Sequence, residues 1–340
     1  MSSYIISIWR LLMGLIAVLA LSALLLTIFM LFFVTSMPGS SYQGPFQTLT
    51  KTENTVSGRL KQHVRALAGE IGERNIRRPG SMEAAAAYIR KMLLQSGYEV
   101  RSQKFTALGK RVANLEATIP GNIRPEEIVL VGAHYDTVAD SPGADDNGSG
   151  VAGALELGRL LAAGHFARTV RLVFFANEEA PFYFLGQMGS QHYAREARAR
   201  GERIVAMFSL ETLGYYSDAP YSQRYPFPFS FFYPDRGNFI AFVGNLRSRT
   251  LVRKSIGLFR ESTPFPSEGT AAPGWLNGIG WSDHRSFWQQ GYQALMLTDT
   301  ALFRYPWYHS PLDRPDRIDY DRLARIIVGV GRVVAGLANE

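Results

Sequence analysis

The chain has 340 residues, 46% of them hydrophobic and 19% charged, enough apolar content to close one substantial core. Its formal net charge is +7, but the densest basic clusters, Arg195 to Arg203 and Arg247 to Lys254, are interleaved with acidic or apolar residues, as solvated helix faces are, so no nucleic-acid surface is read. It has no cysteine, which excludes a disulfide framework and a thiolate metal site and leaves a zinc site only His, Asp and Glu to use.

Leu11 to Val34 carries no charge and is mostly aliphatic or aromatic. As a helix it would be about 36 Å long, against a hydrocarbon core of roughly 30 Å. Residues 1–37 therefore read as a transmembrane anchor that meets the lipid bilayer through 11–34. A cleavable signal peptide is the rival reading; its apolar region runs to about 7–15 residues and ends at a small-residue cleavage motif. This run is longer and ends in Phe-Phe-Val-Thr-Ser-Met-Pro, which favours the uncleaved anchor. Arg10 is the only charge before it, and no Lys or Arg follows until Lys51, so the positive-inside rule puts the N-terminus in the cytoplasm and the rest, single-pass, on the periplasmic or extracellular side.

Residues 38–54, rich in Pro, Gly, Ser, Thr and Gln, read as a linker, and 55–340 as one domain. Apolar spacing predicts helices at Val56–Arg74, Ser81–Gln95, Gly148–Ala163, Phe184–Arg200, Asn245–Ile256, His284–Gln290 and Tyr320–Ala338. Strands are expected at Tyr98–Phe105, Val112–Ile119, Ile128–Ala133, Val170–Ala176, Ile204–Leu210, Phe239–Val243 and Ala294–Thr298. Their alternation predicts an α/β fold, a three-layer α/β/α sandwich around a mostly parallel or mixed sheet. An insert of about 215–280 interrupts the rhythm with Tyr-Pro-Phe-Pro-Phe-Ser-Phe-Phe-Tyr-Pro and Thr-Pro-Phe-Pro. Its Pro density opposes long helices and central strands. It reads either as aromatic loops over a site or as a loop packed on the core, and Phe227, Phe229, Phe231, Phe232, Trp275 and Trp281 either line an apolar pocket or pack.

The chemistry gathers at strand ends, where open α/β sheets place their sites. The run Ile128 to Val131 leads into Gly132, His134 and Asp136, then into Gly-Ala-Asp-Asp-Asn-Gly-Ser-Gly at 143–150. The strand Val170–Ala176 leads into Asn177, Glu178 and Glu179, two adjacent carboxylates that are costly unless a cation or a proton neutralises them. His63 and His192 fall in helical patterns and His165 follows a helix, positions of surface or capping residues. His134 and His309 stand among acids and strand ends. Asp283 before His284 can serve as a helix cap, and lining the site is the less favoured reading of His284. No His-Glu-x-x-His helix, Gly-x-Ser-x-Gly elbow or phosphate-binding Gly-Lys loop is present.

In order, the segments Gly-Ala-His-Tyr-Asp, Gly-Ala-Asp-Asp-Asn-Gly-Ser-Gly, Ala-Asn-Glu-Glu, Ser-Asp-His-Arg-Ser-Phe and Tyr-His-Ser-Pro-Leu-Asp resemble the M28 family of co-catalytic zinc metallopeptidases, from about Leu60 to the C-terminus. The resemblance implies two Zn2+ ions per chain, one held by His134, Asp146 and Glu211 and the other by Asp146, Glu179 and His309. It makes Glu178 the general base and Asp136 the group that orients the His134 imidazole. It also implies a cis peptide just after Asp146. Many members have Asp where this chain has Glu211, a side chain longer by one methylene with the same oxygen ligand. The expected activity is zinc-dependent exopeptidase action on peptide substrates, most of all removal of N-terminal residues. Two alternatives stand beside it: a single-zinc glutaminyl cyclase, a transferase, and a non-catalytic ectodomain on the same fold. Side-chain preference, amino- against carboxypeptidase action and oligomeric state are not legible in the sequence.

Overall fold

A computed structural model describes residues 2–340, and the chain divides into two units after Ser36. The first is a single helix, α1 (Ser2–Thr35), whose apolar side chains are exposed almost throughout. Its stretch Ile6–Thr35, of 30 residues, is long and apolar enough to cross a membrane, a property that membrane anchors share with signal sequences.

The second unit begins with an irregular segment and then α2 (Lys51–Val64). This helix starts earlier than its apolar spacing suggests because of a reciprocal cap. Thr50 Oγ1 accepts the Glu53 N–H, and Glu53 accepts the Thr50 N–H at 2.7 Å. A wider π-helical turn, Arg65–Ile71, ends it, so Arg74 lies outside the helix and is buried. Then come α3 (Ser81–Gln95), the hairpin β1 (Val100–Ala107) and β2 (Lys110–Ile119), β3 (Arg124–His134), α4 (Gly150–Leu161) and β4 (Arg168–Phe175). The single helix expected over Phe184–Arg200 is two, α5 (Phe182–Leu185) and α6 (Gly189–Ala199), parted at the left-handed Gly186. The chain continues through β5 (Arg203–Glu211), β6 (Ile240–Gly244), α7 (Arg249–Ser262), β7 (Ser267–Ala271), α8 (His284–Gln289), β8 (Ala294–Thr298) and α9 (Tyr320–Ala338).

All eight strands form one mixed sheet in the order β1-β2-β4-β3-β5-β8-β6-β7. The central strands β4, β3, β5 and β8 are parallel; β2 runs antiparallel to both its neighbours, and β6 runs antiparallel to β8 but parallel to β7. Strand alternation serves both faces. Val129, Val131 and Ala133 enter the larger core with Leu60, Leu157 and Ile327, while Ile128 and Leu130 enter the smaller one with Tyr193 and Phe287. The result is the expected α/β/α sandwich. The region 215–280 is built into this sheet, because it supplies β6, α7 and the edge strand β7.

Candidate metal centre

The site lies at the carboxyl ends of the parallel strands. His134 is the last residue of β3, Glu211 the last of β5, Glu178 and Glu179 follow β4, and His309 sits in the loop after β8. Asp146 comes from a turn between β3 and α4, at a cis Asp146–Asn147 peptide. Gly143 opens that turn at φ +61, with Thr137 and the Asp146 carbonyl where a Cβ would stand, so a side chain there has neither room nor backbone freedom. Asn147 ties the turn to β5: its amide donates to the Leu210 carbonyl at 2.8 Å and its oxygen accepts the Thr212 N–H at 3.2 Å.

Candidate ligand atoms of His134, Asp146 and Glu179 all lie within 4.8 Å of one another, and the three residues are buried. Asp146 faces both imidazoles with different oxygens. Its Oδ1 is 3.4 Å from His134 Nε2 and its Oδ2 is 2.9 Å from His309 Nε2. Glu211 joins on the His134 side, 3.3 Å from Nε2, and Glu179 on the other, 3.3 Å from His309 Nε2. Tyr308 stacks on His309 with ring centroids 3.8 Å apart. All five expected ligands are thus brought together, with Glu178 buried beside them.

Asp136 is 3.5 Å from His134 Nδ1, too far for a good hydrogen bond. Its carboxylate instead accepts the backbone N–H groups of Glu178 at 3.0 Å and Glu179 at 3.1 Å, which sets both acids in place. Asp313, in the loop between β8 and α9, is its counterpart, accepting the N–H groups of Asp145 at 2.8 Å and Asp146 at 3.1 Å. Ser282 donates to Glu211 at 2.6 Å. Sequence reasoning assigned no role to Asp313 or Ser282, although both lie in motif segments. It also missed Arg74, fully buried, which donates to the carbonyls of Tyr135, Leu67, Gly72, Pro142 and Gly143 and binds the loops after β3 together. His284 is buried against Trp288, its Nε2–H donating to the Ile279 carbonyl at 2.8 Å, and is absent from the tight ligand group.

Burial pushes the Glu178 carboxyl well above its usual range, and Glu179 and Glu211 add to this against the pull of His134. Glu179 is raised to about 7, by burial and then by the Asp146 charge. Asp146 goes the other way: burial is outweighed by the two imidazoles, and it stays ionised. Both Asp146 oxygens and Glu179 Oε1 are buried without a hydrogen-bond partner. Buried polar atoms of this kind cost free energy unless paired or coordinated. Two imidazoles and three carboxylates converging on such atoms are a donor set that fits zinc.

An apolar cavity of about 110 Å³ adjoins the cluster, reaching from Glu211 and Tyr308 to Phe229, Phe242, Ile279 and Trp281. Of the aromatics singled out in the sequence, Phe229 and Trp281 line it, whereas Phe227, Phe231 and Trp275 are exposed.

Comparison with known proteins places this architecture. An Escherichia coli (strain K12) protein, the uncharacterized protein YfbL, is 36% identical over 313 residues, which are 89% of this chain and 95% of that protein. The fold is similar to that of a zinc aminopeptidase from Bacillus subtilis, with a TM-score of 0.68 at 16% identity over 84% of this chain and 95% of the other. It is also similar to that of a Porphyromonas gingivalis glutaminyl cyclase, with a TM-score of 0.62 at 19% identity over 83% and 98%. The family profile described as peptidase family M28 matches residues 114–334, most of the sheet and every residue of the cluster, and the chain belongs to that family.

Proposed function

We propose that this chain is a zinc-dependent aminopeptidase, an exopeptidase that removes N-terminal residues from peptides, held at a membrane by α1 with its catalytic unit on the periplasmic or extracellular side. The observation that carries the reading is the placement of Asp146, one oxygen toward His134 and the other toward His309. A carboxylate so placed can bridge two cations, His134 and Glu211 completing one set of ligands and Glu179 and His309 the other. Bound there, a zinc pair would lower the pKa of a shared water and polarise the scissile carbonyl. Glu178, buried next to the cluster and outside the ligand sets, takes the water's proton and passes it to the leaving amine. Its raised affinity for a proton suits both halves of that task. Asp136 keeps Glu178 and Glu179 in register through their backbone N–H groups. The apolar cavity beside Glu211 receives the side chain of the residue that is removed.

The test combines elemental analysis with two assays on the purified full chain, one with an aminoacyl chromogen and one with a peptide bearing N-terminal Gln. Two zinc ions per chain and hydrolysis of the chromogen are expected. One zinc with cyclisation of the Gln peptide would replace this reading by the cyclase, and full zinc with no activity on a broad peptide panel would replace it by a binding ectodomain.

A further inference from the structure

Two segments far apart in sequence meet at the edge strand of the sheet. Met37, the first residue of the second unit, packs over Gly269 in β7: a Cβ there would lie 2.9 Å from Met37 Cγ. The next residues are fastened just as closely. Arg260 of α7 donates to the Pro38 carbonyl at 2.9 Å, and Ser41 Oγ accepts the Ser267 N–H at 2.9 Å. No slack chain separates the end of α1 at Thr35 from this edge; two residues span at most about 7 Å. At the same Gly269, the Tyr233 hydroxyl donates to the carbonyl oxygen at 2.7 Å. Tyr233 closes the Pro-aromatic loop 225–233, stacked on Tyr225 at its other end with centroids 5.6 Å apart.

The loop is two-sided. Phe229 is buried and lines the cavity beside the metal centre, while Phe227 and Phe231 are 83% and 76% exposed and pack edge to face with each other at 6.1 Å. Two exposed phenylalanines held together in this way hide little of their surface from water, and contiguous apolar patches of this sort mark interaction sites. Phe231 is two residues, about 7 Å of chain, from Tyr233, whose hydroxyl reaches the same Gly269 that Met37 covers, so the patch belongs to the edge of the sheet from which the apolar helix departs. The headgroup layer on each side of a bilayer core is on the order of 6 Å thick, and apolar faces that carry Trp, Phe or Leu bury about 5–10 Å into its boundary with the acyl chains.

We propose that the 225–233 loop docks on the lipid surface through Phe227 and Phe231, giving the catalytic unit a second membrane contact beside its anchor. The inference rests on the reading of α1 as an uncleaved anchor. The docked loop is also a wall of the apolar cavity, so peptides enter that cavity next to lipid, and substrates that partition to the membrane surface reach it at raised local concentration.

The absence of cysteine makes the test direct. The full zinc-loaded chain carrying Phe231→Cys, or Phe227→Cys, is labelled with bimane and reconstituted into phosphatidylcholine–phosphatidylglycerol vesicles that contain a headgroup-proximal spin-labelled lipid. Ile123→Cys is the reference, 73% exposed on the connection into β3 at the opposite end of that strand from His134. Quenching at positions 227 and 231 should exceed that at 123 at least twofold, with blue-shifted emission. Equal quenching at all three positions, in intact chain that floats with the vesicles, overturns the docking surface and leaves the anchor standing. Mass spectrometry of the purified chain reads the anchor separately: loss of the first 36 residues overturns the anchor and the docking surface with it. The peptidase assay is independent of both.

Discussion

Asp313 offers the sharpest test of how the centre is built. It is fully buried and accepts three hydrogen bonds, from the N–H groups of Asp145 and Asp146 and from the Tyr305 hydroxyl at 2.8 Å. Changing it to Asn keeps the volume and leaves one acceptor oxygen, but turns an NH2 group toward a backbone N–H. Hydrogen bonds to a charged partner contribute about 1.5–3 kcal/mol, and a buried donor left unpaired costs about 1–3 kcal/mol. Losing one such bond and exposing one donor to a like partner gives an expected destabilisation of about 3 kcal/mol. The strain falls on the backbone of Asp146, so metal affinity should drop as it does when groups that hold a ligand in place are removed, about 10–100-fold. Calorimetry of the full chain in detergent, with and without zinc, reads the first quantity, and competition against a chromogenic chelator reads the second. An Asp313→Asn protein with zinc affinity within twofold of the parent and stability within about 0.5 kcal/mol would refute the claim that this carboxylate positions Asp146.

Other expectations follow from the same geometry. Glu178→Gln should abolish peptide hydrolysis while zinc content stays near normal; parent-like turnover would remove Glu178 from the role of base. Asp146→Ala should lose both metals, and a retained stoichiometry by elemental analysis would count against bridging. Arg74→Lys replaces a five-bond fork by at most three donors on one nitrogen; the Leu67 and Gly143 carbonyls keep backbone partners, but any of the Tyr135, Gly72 and Pro142 carbonyls it fails to reach is left unpaired at about 1–3 kcal/mol each, so thermal stability should fall by several degrees; an unchanged melting temperature would show that the fork is dispensable. Glu156 is fully buried, yet its contacts with His63, Arg159 and Arg59 overcome the upward push of burial and bring it down to about 2 from an ordinary 4.5. The folded chain therefore takes up this proton at lower pH than the unfolded chain. The stabilisation is complete above about pH 4.5 and is lost as pH falls toward 2, by up to about 3 kcal/mol. Denaturation curves of Glu156→Gln should be flatter than the parent's between pH 5 and 3, and parallel curves would contradict the linkage.

Much of this was open to the sequence alone. Strands such as Ala294–Thr298 and helices such as Tyr320–Ala338 show their period locally, because each must bury one face and the pattern repeats every few residues. The candidate ligands were legible because the proposed metal centre would draw its donors from strand ends, and short segments there carry His, Asp and Glu in a fixed order. Other features depend on partners that no local pattern names. Ser267–Ala271 has no apolar alternation and is a strand only because β6 lies beside it. Arg74 reads as the polar end of a helix, yet the fold buries it, because five carbonyls from the turn and loops around it converge on its guanidinium. Asp136 seemed to face an imidazole and spends its oxygens on backbone N–H groups; Asp313, far along the chain, mirrors it only once β8 has delivered the last loop to the turn at Asp145 and Asp146. Periodicity is written residue by residue, but which buried donor meets which acceptor is decided by strand order, and that exists only in the folded chain.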